Sequence, residues 1–146
     1  EYFAAQALLI SNRITCNRAN VGTVLVKDNK VIATGYNGSV SGTDHCLEDG
    51  CLMVDGHCVR TIHAEVNAIL QGAERVIPKG FTSYVTHFPC LNYTKQLLQV
   101  SCKRVVYSHQ YQIDEYAEYL YREKEVELDH LPIEEVKKAI AEADFI

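Results

Sequence analysis

No run of about 18 apolar residues occurs in this 146-residue chain, so no helical membrane span is expected. Basic residues are also scarce: 14 Lys and Arg stand against 19 Asp and Glu, giving a formal charge of −5. Long nucleic acid needs a basic face to grip it, and this balance argues against such a partner. A mononucleotide stays open, because one phosphate needs only a local basic pocket. The chain has no internal repeat, low-complexity tract or targeting signal. Glu1 stands inside an expected helix without an initiator methionine, which predicts a trimmed chain and leaves a removed leader open.

Hydrophobic residues make up 47% and charged residues 23%, a globular composition that excludes disorder as the default. The length predicts one domain over 1–146, burying roughly 70% of the surface of its unfolded chain. Six cysteines are many for this size. They belong either to disulfides of a secreted protein or to thiolate metal ligands of a cytoplasmic one. Cys16, Cys46, Cys51 and Cys58 lie among His45 and His57, and that mixture favours metal and the cytoplasm.

Hydrophobic spacing predicts a helix from Tyr2 to about Ile14, with Phe3, Leu8, Leu9 and Ile10 as its apolar positions. Val21 to Lys27 and Val31 to Tyr36, joined by Asp28-Asn29-Lys30, predict a β-hairpin. Asn37 to about Arg60 is glycine-studded and reads as too irregular for regular structure, which in a compact domain marks a functional or stapled loop. Beyond it the pattern predicts helices at Ile62–Arg75, Cys90–Val100, Asp114–Glu123 and Ile133–Ala143. Strands are predicted at Thr82–Thr86, Lys103–Tyr107 and Glu125–Asp129. The order αββαβαβαβα predicts an α/β fold with a central five-stranded sheet and helices on both faces. In the acidic helix after Asp114, Tyr116, Tyr119 and Leu120 are the expected core positions.

His63-Ala64-Glu65 opens one predicted helix and Pro89-Cys90 opens the next, with a strand between them. Two helix N-termini can then face one spot, where their positive ends favour the thiolate and anionic ligands. His-x-Glu followed by Pro-Cys-x-x-Cys is the signature of zinc-dependent nucleobase deaminases. Zinc lowers the pKa of bound water towards roughly 7. Glu65 would take the water proton, deliver it to the ring nitrogen, and later assist the departure of ammonia without binding the metal. Taken singly, His63 reads as a helix-start residue and Cys90 as a small hydrophobe; together with Pro89 they read as a site.

The runs Gly35-Tyr36-Asn37-Gly38-Ser39, His45-Cys46, Thr61-Ile62-His63-Ala64-Glu65-Val66-Asn67-Ala68-Ile69 and Tyr84-Val85-Thr86-His87-Phe88-Pro89-Cys90 resemble the deoxycytidylate (dCMP) deaminases, in their bacterial late competence or ComE operon protein 2 branch. The resemblance covers nearly the whole chain and weakens after about Tyr111. It implies a three-layer α/β/α sandwich of the cytidine deaminase type with a mixed sheet. It implies hydrolysis of dCMP to dUMP and ammonia, and a homo-oligomer, often a hexamer. It also implies regulation by dCTP and dTTP, with Mg2+ as companion ion. Asn37 is similar to the family's sugar-contacting asparagine, the Ala64 backbone to the group that meets the base edge, and Tyr111 to a tyrosine lining the nucleotide site. Arg18 and Arg60, beside candidate metal residues, are phosphate-binding candidates or solvated surface arginines. His87 is either a pocket wall or a packing residue.

One position departs from the family. Where a second cysteine should follow Cys90 by three residues, the chain has Tyr93. Catalytic zinc takes three protein ligands and one open position. A phenol with a free pKa near 10 is a poor third ligand after His63 and Cys90, and Cys102, beyond the next helix, is a poor substitute. Reduced zinc affinity and low activity are expected, with an impaired nucleotide-binding homologue, a phenolate-ligated site and a deaminase of another nucleobase as alternatives. Cys16, Cys46, Cys51 and Cys58, with His57 or His45 competing, are candidates for a second, structural zinc that orders the long loop.

Overall fold

The computed structural model describes residues 1–13, 20–55, 57–110 and 113–144, and of Asp49 and His57 the backbone only. Cys16, Arg18 and Tyr111 lie outside the described residues, as do the side chain of His57 and the expected helix end at Ile14.

The central sheet grows from β1 (Gly22–Lys27), whose Thr-Val-Leu-Val run is buried on both faces. Leu25 joins one apolar cluster, while Val24 and Val26 join the other. The hairpin to β2 (Lys30–Tyr36) turns at Asp28 and Asn29, both at positive φ (51° and 60°). That geometry matches the strand twist and suits Asp and Asn. The sheet continues with β7 (Thr82–His87), β8 (Arg104–His109) and β9 (Glu127–His130) in the order β2-β1-β7-β8-β9. β1 is antiparallel to β2 and β7, and the last three strands are parallel. Parallel neighbours need crossovers, which α4 (Leu91–Gln99) and α5 (Glu115–Glu123) supply.

Helix α3 (Ala64–Ala73) packs on β2 and β1, and α4 lies against α3 and α5. Their Ala68, Leu97, Ala117 and Tyr121 meet Leu25, Val85 and Val105 of the sheet. On the opposite face α1 (Tyr2–Ile10) packs on β1, β7 and α6 (Ile133–Ala141). The result is the expected α/β/α sandwich around a mixed five-stranded sheet. Gly35 permits the close seat of α3, because a methyl group there would overlap the Ala64 carbonyl oxygen and the Ala68 nitrogen.

Three expectations change. Helix α1 gives way to a 3-10 turn at Ser11–Arg13, and it buries Ala4 and Ala7 while Leu9 is exposed. In α5 the inward positions are Ala117 and Tyr121, four apart on one helical face. Tyr116 and Tyr119 are exposed and stack on each other with centroids 5.6 Å apart, and Leu120 is half-buried. The loop after Asn37 also carries short regular pieces: β3 (Gly38–Ser39) pairs with β6 (Thr61–Ile62), β4 (Met53–Val54) pairs with β5 (His57–Cys58), and α2 covers Cys46–Asp49. Two-residue ladders are too short to leave a periodic signal in a sequence. No helix among the described residues is long and apolar enough to cross a membrane.

Candidate active site and thiol cluster

His63 is the N-cap residue of α3, with extended backbone (φ −69°, ψ 153°), and Cys90 holds the same place at α4 (φ −69°, ψ 171°). Neither side chain caps its own helix. Both helix starts therefore turn donor-rich, positive ends towards neighbouring groups. A recess of about 130 Å³ lies between them, lined by Val21, His63, Glu65, His87, Phe88, Cys90 and Tyr93. Phe88 sets the turn before Cys90 by packing edge-on against Tyr107 and Tyr121, at 4.9 and 5.8 Å between centroids. The start of α3 is fixed from β2: Ala64 N–H donates to Asn37 Oδ1 (2.9 Å), and Asn67 Nδ2 donates to the Tyr36 carbonyl (2.9 Å). The buried Asn37 thus satisfies one of the helix's orphan N–H groups, so a substrate group seeking the Ala64 N–H would have to replace it.

Glu65, only 4% exposed, sits in the first turn of α3. Burial raises its carboxyl to about 7, against the opposing pull of its own backbone N–H. A carboxyl poised there can both take and give a proton at neutral pH. The Cys90 thiol differs from expectation. Burial raises its pKa and Glu65 adds to that, so the N–H groups of Tyr93 and Asn92 do not make it a ready thiolate. The helix end is outweighed by loss of water.

Tyr93 lies in the same recess, its ring stacked on His63 with centroids 4.5 Å apart and planes at 28°. Burial first, then Cys90 and Glu65, push its phenol up to about 12. The donor set therefore tests unevenly against a zinc ion. An imidazole and a thiol suit it, and a phenol held neutral does not complete the trio. Cys102 is no replacement: it is buried in the core behind α4, donates to the Arg104 carbonyl (3.2 Å), and burial raises it to about 11.

The loop brings Cys46, Cys51 and Cys58 together, their sulfurs all within 4.8 Å of one another. Cys46 and Cys58 Sγ are 3.4 Å apart. A tetrahedral ion with Zn–S near 2.3 Å would set sulfurs about 3.8 Å apart, so the trio fits one with small adjustment. Burial raises the Cys58 thiol, but hydrogen bonds from the Arg60 backbone, Cys46, Leu52 and Cys51 together bring it to about 7. His45 is not part of the trio and lines a separate groove with Tyr36 and Asn67. Arg60 is half-buried, and its Nε is buried without a hydrogen-bond partner among the described residues.

The residues that sequence reasoning left in the background are Val21, Phe88 and His109. His109 lies beside His87, in register across β7 and β8 with ring centroids 4.7 Å apart. The signal for them was the position of Thr86-His87-Phe88 at a strand end, immediately before Pro89-Cys90.

Comparison with known proteins agrees with this geometry. Residues 1–109 match the cytidine and deoxycytidylate deaminase zinc-binding region. The ComE operon protein 2 of Bacillus subtilis is 44% identical over 137 residues, covering 93% of this chain and 72% of that protein. The deoxycytidylate deaminase of Saccharomyces cerevisiae is 36% identical over 120 residues, 78% of this chain, and the chain spans only 38% of the yeast protein. Among solved structures, the dCMP deaminase of cyanophage S-TIM5 in complex with dCMP and dUMP superposes with a TM-score of 0.77. It is 29% identical, covering 89% of this chain and 94% of that one.

Proposed function

The chain belongs to the cytidine and deoxycytidylate deaminase family, in the branch of ComE operon protein 2, and from that premise we propose that it hydrolyses dCMP to dUMP and ammonia. The observation that carries this reading is the buried Glu65 in one recess with His63 and Cys90, each supplied by a helix start. The structure superposed above, a dCMP deaminase holding dCMP and dUMP, supports the choice of nucleotide.

A zinc ion held by His63 and Cys90 would supply a water acidified towards roughly pKa 7. Glu65 takes a proton from the attacking water and passes it to the pyrimidine ring nitrogen. It then helps protonate the amino group, which leaves as ammonia while oxygen remains on the ring. Its raised pKa suits both directions of transfer. Phe88 and Val21 give the recess an apolar wall. Tyr93 slows the reaction, because its neutral phenol is a weak donor beside the other two groups. Those same facts favour a second reading, a nucleotide-binding homologue with little turnover.

The thiols of Cys46, Cys51 and Cys58 would hold a second, structural ion, with Cys16 or His57 as the fourth donor. The experiment for the main reading is incubation with dCMP, followed by quantification of dUMP and ammonia. Equimolar dUMP and ammonia are expected; conversion of adenosine in tRNA with dCMP left intact would overturn the substrate assignment.

A further inference from the structure

The recess between α3 and α4, about 130 Å³, has room for one small ring. It falls short of the roughly 300–1,000 Å³ that ligand pockets enclose. The reacting ring must enter, because Glu65 and Cys90 line the recess. Sugar and phosphate must then lie at its rim. One side of that rim is the C-terminal end of parallel strands β7 and β8, the edge where open α/β sheets present groups to ligands. His87 and His109 stand there in register. Their rings are 4.7 Å apart and inclined by 30°, and His87 also lines the recess.

The orientation of His87 is built in. Gly22 N–H donates to Thr86 Oγ1 (3.1 Å), and that oxygen lies 2.8 Å from His87 Nδ1 and 3.5 Å from the Asn20 carbonyl. These contacts tie Thr86 Oγ1 to the start of β1 and hold the His87 ring in place. Burial, reinforced by His109, lowers His87 to about 4, so at neutral pH it acts as an uncharged hydrogen-bonding group. This arrangement is more elaborate than a packing residue requires, since a phenylalanine would fill the same wall without it.

We propose that His87 contacts the deoxyribose of the bound nucleotide, that His109 beside it takes the 5′-phosphate, and that Thr86 is the positioning residue that sets His87. The assignment follows distance from the chemistry: His87 reaches the recess, and His109, one strand further out, meets the more distal group. It rests on the dCMP reading above.

Binding rather than turnover tests it, since binding is measurable even where Tyr93 makes catalysis slow. Calorimetric titrations of the full chain with dCMP and with deoxycytidine are compared across variants, with melting curves to identify any variant that has unfolded. His109→Ala should weaken dCMP by about tenfold or more and leave deoxycytidine within about twofold. His87→Phe, or His87→Asn if the first unfolds, should weaken both ligands by about tenfold. Thr86→Val should reproduce part of the His87 loss and shift the His87 ring-nitrogen signals, while Thr86→Ser retains both the affinity and the signals. If the wild-type chain binds neither ligand, the dCMP reading fails and takes this inference with it. If the wild type binds dCMP and the histidine variants bind it equally well, the histidine assignment alone is overturned. Unchanged His87 ring-nitrogen signals in Thr86→Val would remove Thr86 from its role.

Discussion

At the scale of single residues, the chemistry turns on Tyr93. His63, Glu65 and Cys90 were legible in the sequence because His-x-Glu and Pro-Cys place them at two helix starts, and both N-caps are where that pattern puts them. The state of the thiol was not legible. Motif logic favours a thiolate at a helix N-terminus, whereas burial raises Cys90 and no spacing reports how much water a site loses. The stacking of Tyr93 on His63 was equally hidden, since a three-residue interval says only that Cys90 and Tyr93 share one face of the start of α4. Replacing the phenol by a thiol, Tyr93→Cys, should raise dCMP turnover by roughly tenfold or more, as changes around metal sites commonly alter activity 10- to 100-fold. Steady-state rates of the two proteins check this, and an unchanged rate would separate Tyr93 from the metal.

At the scale of elements, helices and sheet strands were readable from apolar spacing, with ends moving by a few residues. The loop was not, because the strands of β3–β6 and β4–β5 are two residues each, too short for any alternation to show. What the sequence did offer there was cysteine content, and Cys46, Cys51 and Cys58 do converge. If they hold a structural ion, a strong chelator should lower the melting temperature by on the order of 5–10 °C. Cys58→Ala should already melt low and respond little, and a wild-type chain indifferent to chelation would remove the ion from the loop. The seat of α3 on β2 makes another expectation. Gly35→Ala would press a methyl group into the Ala64 carbonyl and should destabilise by about 3 kcal/mol, measurable by urea unfolding. A cost near zero would show that α3 shifts freely, and the alignment of His63 with Cys90 would then need another source.

At the scale of the whole molecule, the number of sheet strands was readable and their order was not. β1 lies beside β7, pairing Thr23 with Val85 across a stretch that includes the entire loop and α3. Local propensity cannot state which strand closes such a gap. The result sets the C-terminal ends of β7 and β8 beside the starts of α3 and α4, so the proposed substrate contacts and the proton transfer proposed for Glu65 share one end of the sheet. It also gives the fold an acid sensitivity. His87 is lowered to about 4 by burial and by His109, against an ordinary value near 6.5. Between those values the unfolded chain takes up the proton and the folded chain resists it, so stability falls as pH drops from about 6.5 towards 4. Melting temperatures across that range should fall less steeply in His87→Phe than in the wild type, and parallel curves would contradict the buried, neutral state of the ring.

The proposed chemistry rests on a buried carboxylate, Glu65, that moves protons beside His63 and Cys90 in dCMP hydrolysis. The direct measurement is dUMP formation from dCMP by the wild-type chain and by Glu65→Gln, with zinc content determined on the same samples. Measurable dUMP is expected from the wild type, and a loss of roughly a hundredfold or more in the variant at unchanged zinc. Equal dUMP formation by the two proteins would contradict it.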